Sequence, residues 1–270
     1  MGKAVLTRLG STQVAPYAGV RDVERAKQTL GAVHRFCMLD FERGIYPEPD
    51  FEAVFLMRPP RLTDPDQFER FLRHLDPSTK IVFLSVMGAE TRLYLPHARI
   101  ERRIVKLGLR HIFIRPGYFM ENLTTTLWEE METQHRIFLP AGSLKLQWIA
   151  VTDVAEAAAI ALTQNIAAQG LTVCNNTSHG FAEVAKMINA ICATNLTYRS
   201  PSLLKYVGHS LRQGKPLSFI LVMLLLHYLP RFSRHSVTIE SDFERFVGRR
   251  TMSLVDFITL KRSLFEQLRE

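Results

Sequence analysis

Among the side chains whose type and spacing could do chemistry, His97 and Glu101 stand first, four positions apart in the run PHARIE. In a helix that spacing puts both on one face. A histidine titrates near neutral pH, so His97 reads as a candidate proton donor, with Glu101 orienting or charging its imidazole. The plainer alternative is a first-turn histidine paired with a surface glutamate. Other reaction signatures are missing. None of the seven tyrosines has a lysine four residues later, so the chain lacks a Tyr-x-x-x-Lys donor. It also lacks HExxH, a CxxC pair, a P-loop and GxSxG, which leaves metal hydrolysis, nucleoside triphosphate chemistry and a nucleophile elbow without support. Cys37, Cys174 and Cys192 stand alone without metal-ligand spacing. Three isolated thiols suit a reducing compartment, so a cytoplasmic protein with no metal is expected.

The elements that must position these residues are legible from periodicity. At 270 residues and 47% hydrophobic, the chain can build one large domain or a domain with a smaller lobe. Expected strands are PYAGVR (16–21), HRFCMLDF (34–41), EAVFLM (52–57), KIVFLSV (80–86) and HIFIRP (111–116), with RIFLPAG, LQWIAVTD and LTVCN later. Between them lie expected helices at Gly2 to Leu9, DVERAKQTL, DQFERFLRHL, from Pro96-His97 onward, DVAEAAAIALTQ and GFAEVAKMINAICA. Asp22 should cap the second of these, Gly31 should end it, and Asp153 should cap the alanine-rich one. Apolar strands separated by helices indicate an α/β protein with a parallel sheet covered on both faces. From Ser200 the pattern turns mainly helical. We therefore expect a sheet domain over 1–170 and a mostly helical lobe over 171–270, interleaved with it.

Net charge is +8, and residues 199–270 hold 12 Lys/Arg against six Asp/Glu. A basic lobe attracts an anionic ligand or partner. No Lys/Arg run with interleaved aromatics marks a nucleic-acid surface. The most apolar run, LSFILVMLLLHYL at 217–229, is too short to span a membrane, and His227 interrupts it. It reads as a buried helix, because an interfacial one needs a polar face that this run lacks. Neither nucleic acid nor a membrane is expected as a partner. The N-terminus lacks the pattern of a signal peptide.

The ordered set GVRDVERA, LDF, AVFLMRPP, IVFLSVMGA, PHARIER, RPGYFMENL, WIAVTDVAEAAAIAL and VTIESDFERFVGRRTMSLVDF resembles the NmrA-like family of atypical short-chain dehydrogenase/reductases over nearly the whole chain. The resemblance implies a Rossmann-type parallel sheet with helices on both faces and a small C-terminal substrate lobe. It places Arg21, at the end of PYAGVR, facing the adenosine ribose. An acid there selects NAD and an arginine accommodates the extra phosphate, so NADP is favoured over NAD. A solvated arginine at a strand end is the alternative. By the same resemblance Asp40 and Phe41 contact adenine, and Met57, Arg58 and Pro59 flank the ribose and nicotinamide. Ser85 sits where these reductases keep an active-site hydroxyl. Pro116 opens the segment lining the nicotinamide, and Tyr118, Phe119 and Asn122 fall on the acceptor side. Phe119 would stack on a flat acceptor and Asn122 would bond its carbonyl, although Asn122 also reads as an ordinary helix cap. Loss of the Tyr/Lys pair is common in the atypical family.

Aligned in this way, Gly2 falls where the last glycine of a GxxGxxG-type loop would stand. The first strand and the earlier glycines have no counterpart. That strand is central in a 3-2-1-4-5-6 sheet, and without it both neighbours keep an unpaired inner edge. Two expectations follow. Either the natural chain is longer by roughly 10 to 15 residues, one strand and its loop, or the cofactor site is weakened. The implied activity is NADPH-dependent reduction of a small quinone, azo or carbonyl acceptor. The alternative is a non-catalytic dinucleotide sensor or regulator that engages a protein partner or a second copy.

Overall fold

The computed structural model describes residues 1–31, 35–48, 51–59, 65–232 and 239–269. His34, Pro60, Val237 and Thr238, which belong to the motif runs above, lie outside the described residues. The chain begins α1 (Gly2–Leu9), β1 (Tyr17–Val20), α2 (Val23–Leu30), β2 (Arg35–Met38), β3 (Ala53–Met57), α3 (Pro65–His74) and β4 (Lys80–Leu84). It continues with α4 (Pro96–Lys106), β5 (His111–Pro116), β6 (Tyr118–Phe119), α5 (Trp128–Gln134), β7 (Arg136–Phe138), β8 (Lys145–Ile149) and α6 (Val151–Thr163). There follow β9 (Gly170–Val173), β10 (Ser178–Gly180), α7 (Phe181–Cys192), β11 (Thr197–Arg199), α8 (Leu203–Arg212) and α9 (Leu217–Met223). The last helices are α10 (Phe243–Val247), α11 (Leu254–Leu260) and α12 (Arg262–Phe265).

These elements form two units that are not contiguous in sequence. The first combines Met1–Gly117, Val151–Val173 and Ser241–Arg250; the second combines Tyr118–Ala150, Cys174–Glu240 and Thr251–Glu270. The division therefore interleaves the two units along the chain. Its cause is strand pairing: β9 is needed beside β5 in the first unit, whereas β7 and β8 find their partners in β11 and β10 of the second.

In the first unit β3, β4, β5 and β9 make a parallel sheet in that order. Ile81 and Phe83 of β4 pack against Phe68, Phe71 and Leu72 of α3 and Ile100 and Ile104 of α4. Side chains alternate along a strand, so Val82 faces the other way, the side covered by α6. The expected two-sided covering is thus present. A separate parallel pair, β1 with β2, lies ahead of it in the chain, and no described strand bridges β1 to β3. Asp22 caps α2 as expected, its Oδ1 accepting from Arg25 N at 3.0 Å, and Gly31 ends it at φ 92°. Asp153 does not cap α6. The helix starts two residues earlier, at Val151, and the Asp153 carboxylate is buried against Arg249 Nη2 at 2.7 Å. Arg249 also pairs with Glu156, which in turn holds Arg8 of α1.

The second unit surrounds a core of Trp148, Phe181, Ile188, Phe257 and Phe265. The apolar run at 217–229 forms α9 and a π-helical turn, Leu224–Tyr228. It is not a buried helix. Ile220, Met223 and His227 point inward, while Leu217, Leu221, Val222, Leu226 and Leu229 are exposed. Composition shows that such a helix is apolar all round but not which of its sides finds a neighbour.

Candidate functional site

Ligands of open α/β sheets bind outside the carboxyl ends of the strands. In the first unit Arg21 follows β1, Met57 ends β3 and runs into Arg58 and Pro59, Ser85 follows β4, and Pro116 ends β5. Backbone bonds draw two of these ends together. Ser85 N donates to Ile114 O at 2.8 Å, and Met87 N donates to Pro116 O at 3.2 Å. The Ser85 side chain is only 2% exposed, and its Oγ has no hydrogen-bond partner among the described residues. An unpartnered buried hydroxyl costs about 1–3 kcal/mol, so such groups are rarely left idle.

The start of α1 approaches the same end of the sheet, since a Cβ on Gly2 would lie 3.2 Å from Met57 Cε. Intrahelical bonding begins with Val5 N on Met1 O at 3.1 Å. The amides of the first turn therefore have no acceptor within the helix. Arg21 is exposed and makes no ion pair among the described residues. Asp40 and Phe41 carry local tasks. Asp40 Oδ1 accepts from the amides of Glu42 and Arg43 at 2.9 and 3.1 Å, closing a tight turn. Phe41 stacks on Phe68 at 5.2 Å between ring centroids.

His97 sits in the first turn of α4, its ring 6.1 Å from that of Phe83. Burial, reinforced by the nearby Arg58 guanidinium and only partly opposed by Glu101, lowers its pKa from 6.5 to about 4. The imidazole is therefore neutral at physiological pH. The expected pairing with Glu101 is not made. Glu101 is 5% exposed, and Arg115 takes both its oxygens, Nε on Oε1 at 3.0 Å and Nη2 on Oε2 at 2.8 Å. Glu90 adds a second carboxylate 3.3 Å from Arg115 Nε. The i, i+4 spacing correctly put His97 and Glu101 on α4, but the cation that claims the glutamate comes from β5. No spacing rule within one helix reports that.

Tyr118, Phe119 and Asn122 belong to the second unit. The Tyr118 ring meets Trp148, Phe181 and His227 edge-on, at 4.8, 5.9 and 5.4 Å. Its hydroxyl lies 3.1 Å from His227 Nε2, and burial pushes its pKa up, with the Asn122 side chain bonded to it. Asn122 does not cap a helix: it lies inside the 3₁₀ turn Met120–Thr124, which begins before it. Phe119 pairs with Ile149 in the sheet, and its ring makes no aromatic contact among the described residues. His227, which the sequence reading treated only as an interruption, is fully buried, with burial lowering its pKa to about 4. Among the described residues no group of three or more His, Cys, Asp or Glu is arranged to hold a metal ion.

With this geometry the chain was compared with known proteins. No family model matches it. Over 83 residues it is 35% identical to the Prestalk A differentiation protein A of Dictyostelium discoideum, a match covering 31% of this chain and 27% of that protein. Solved structures match along almost the full length. The triphenylmethane reductase of Citrobacter sp., complexed with NADP(H), superposes with a TM-score of 0.78 at 15% identity, covering 96% of this chain and 95% of that one. An NADPH-dependent quinone oxidoreductase of Escherichia coli gives 0.75 at 17% identity, again covering 96% and 95%. A nucleoside-diphosphate-sugar epimerase of Staphylococcus aureus gives 0.72 at 16% identity, covering 95% of each. The likeness is one of fold. This chain is an α/β protein with a Rossmann-like parallel sheet flanked by helices.

Proposed function

We propose that the protein binds NADP(H) at the carboxyl end of the parallel sheet and reduces a small conjugated acceptor of the quinone, azo or carbonyl class. The observation that carries this reading is the Ser85 hydroxyl, buried and unpartnered where such a sheet receives its ligand. A dinucleotide there would give that oxygen the hydrogen bond it lacks once the side chains covering it move aside. The first-turn amides of α1, beside Met57, suit an anionic group such as a pyrophosphate. Exposed Arg21 suits the extra ribose phosphate of NADP. The fold likeness to a triphenylmethane reductase and a quinone oxidoreductase supports the acceptor class.

The nicotinamide, when bound, supplies the hydride. The task left to the chain is to fix distance and exclude water. Neutral His97 can offer one hydrogen bond at this end of α4 without adding charge. Phe119, whose ring makes no aromatic contact among the described residues, is the residue we assign to the acceptor. The test is NADPH oxidation by the folded chain over a panel of quinones, azo compounds and carbonyls. Turnover with at least one class is expected, and none with any class would overturn the enzymatic reading.

One observation favours a second reading, a dinucleotide-binding regulator without turnover. Glu101, the group that would have charged His97, is fully engaged by Arg115. Stoichiometric NADPH binding without acceptor reduction, together with a retained protein partner, would decide for it.

A further inference from the structure

Within the second unit, α9 and the π-helical turn after it present an apolar face that is exposed among the described residues. Ile220, Met223 and His227 fix the inner side. His227 Nδ1 lies 2.8 Å from Met223 O and its Nε2 3.1 Å from the Tyr118 hydroxyl, which sets the rotation of the helix. On the outer side Leu217, Leu221, Val222, Leu226, Leu229 and Phe232 are each between 46% and 65% exposed. Scattered apolar side chains are ordinary on a surface, whereas a contiguous stripe of large ones marks a contact.

The segment of chain that carries this stripe has one sign of charge. From Val184 to Ile239 the chain contains no Asp or Glu and seven Lys/Arg. Arg212 and Lys215 precede the helix and Arg231 follows it. Lys205 and Arg212 are exposed and have no carboxylate partner among the described residues. Lys215 reaches Glu129 at 3.6 Å. The Arg231 guanidinium lies 5.2 Å from the centre of each ring of Tyr228 and Phe232, so the apolar stripe ends in a cation held on aromatics.

We propose that this face seats the protein on an anionic lipid surface. Residues 217–228 would span about 18 Å at the rise of a helix, against a hydrocarbon core of about 30 Å, and no helix among the described residues is long and apolar enough to cross a membrane. Anchored along one side by Ile220, Met223 and His227, the helix lies flat. Its leucines enter the headgroup boundary, and the flanking cations meet lipid phosphates and carboxylates. A second copy is disfavoured as the occupant, because two-fold pairing would set the same predominantly cationic flanks, Arg212 and Arg231, against themselves. The proposal holds whether or not the dinucleotide reading does.

Vesicle flotation of the full chain tests it, with phosphatidylcholine alone and with roughly a third phosphatidylserine. We expect at least about tenfold stronger partitioning to the anionic vesicles, weakened by salt. Leu221→Asp with Leu226→Asp should abolish it without changing the melting curve, since both side chains point outward. Should that variant misfold, Lys205→Glu with Arg212→Glu carries the test, and it should bring anionic binding down to the neutral-vesicle level. No binding to either vesicle, equal binding to both, or binding unchanged in these variants overturns the proposal. So does a dimer that the Asp variant converts to monomer without any vesicle binding, which would give the face to a second copy.

Discussion

Ser85, His97 and Glu101 illustrate three fates of a polar group at the edge of a core. The Ser85 hydroxyl has lost water and gained no partner. Ser85→Ala should therefore leave stability unchanged or raise it by up to about 1 kcal/mol, while NADPH binding weakens by roughly 5–10-fold, one hydrogen bond's worth. Thermal melts and calorimetry on the same sample read both, and a destabilised variant with unchanged affinity would contradict the account. His97 has a folded pKa of about 4, below the 6.5 of a free imidazole. Between those values the unfolded chain binds a proton that the folded chain refuses, so stability falls as pH drops through that window. For this group alone the loss approaches about 3 kcal/mol. His227 adds a slope of the same sign in the second unit. In urea melts at pH 7 and pH 5, His97→Asn should lose less stability on acidification than the parent; an equal loss would refute the assigned environment. Glu101→Ala removes the main partner of Arg115 and should cost about 3 kcal/mol. At this scale the sequence revealed what is local. Asp22 could be read as a cap because its donor, the Arg25 amide, lies three residues away, whereas Glu101 and Arg115 meet only after a helix has packed on a strand.

The elements were the most legible level, since apolar periodicity decides strand or helix over short windows. KIVFL, HIFIRP and the helix from Pro96 emerged where their patterns put them. Two departures from the periodic pattern have physical causes. Asp153 does not cap α6 because it answers to Arg249, a residue 96 positions away. The helix at 217–228 exposes one side because an all-apolar run carries no mark of its inner side. The split between β1–β2 and the four-stranded sheet has a dynamic consequence. The helix α2 buries no side chain, whereas every residue of β4 but the last is buried. Hydrogen exchange should therefore be fastest in β1, α2 and β2 and slowest in β4 and β5, and uniform protection would argue against two separate sheets. Arg249→Ala should free the 241–250 segment, a change that limited proteolysis will register, and should cost about 2–4 kcal/mol by leaving Asp153 without its guanidinium.

For the molecule as a whole, the sequence conveyed an α/β chain with a helical C-terminal part but not how the chain weaves between two units. That weave depends on β7 and β8 pairing with strands further along, and pairing partners are invisible to periodicity. The orphaned hydroxyl of Ser85 is the group on which our proposal that this sheet end holds a dinucleotide rests. The direct measurement is calorimetric titration of NADPH and NADH into the full chain and into Arg21→Ala. The account predicts one site per chain, tighter for NADPH than for NADH, with the preference lost in Arg21→Ala. Absence of binding by the folded chain, or equal affinities in the parent and the variant, would contradict it.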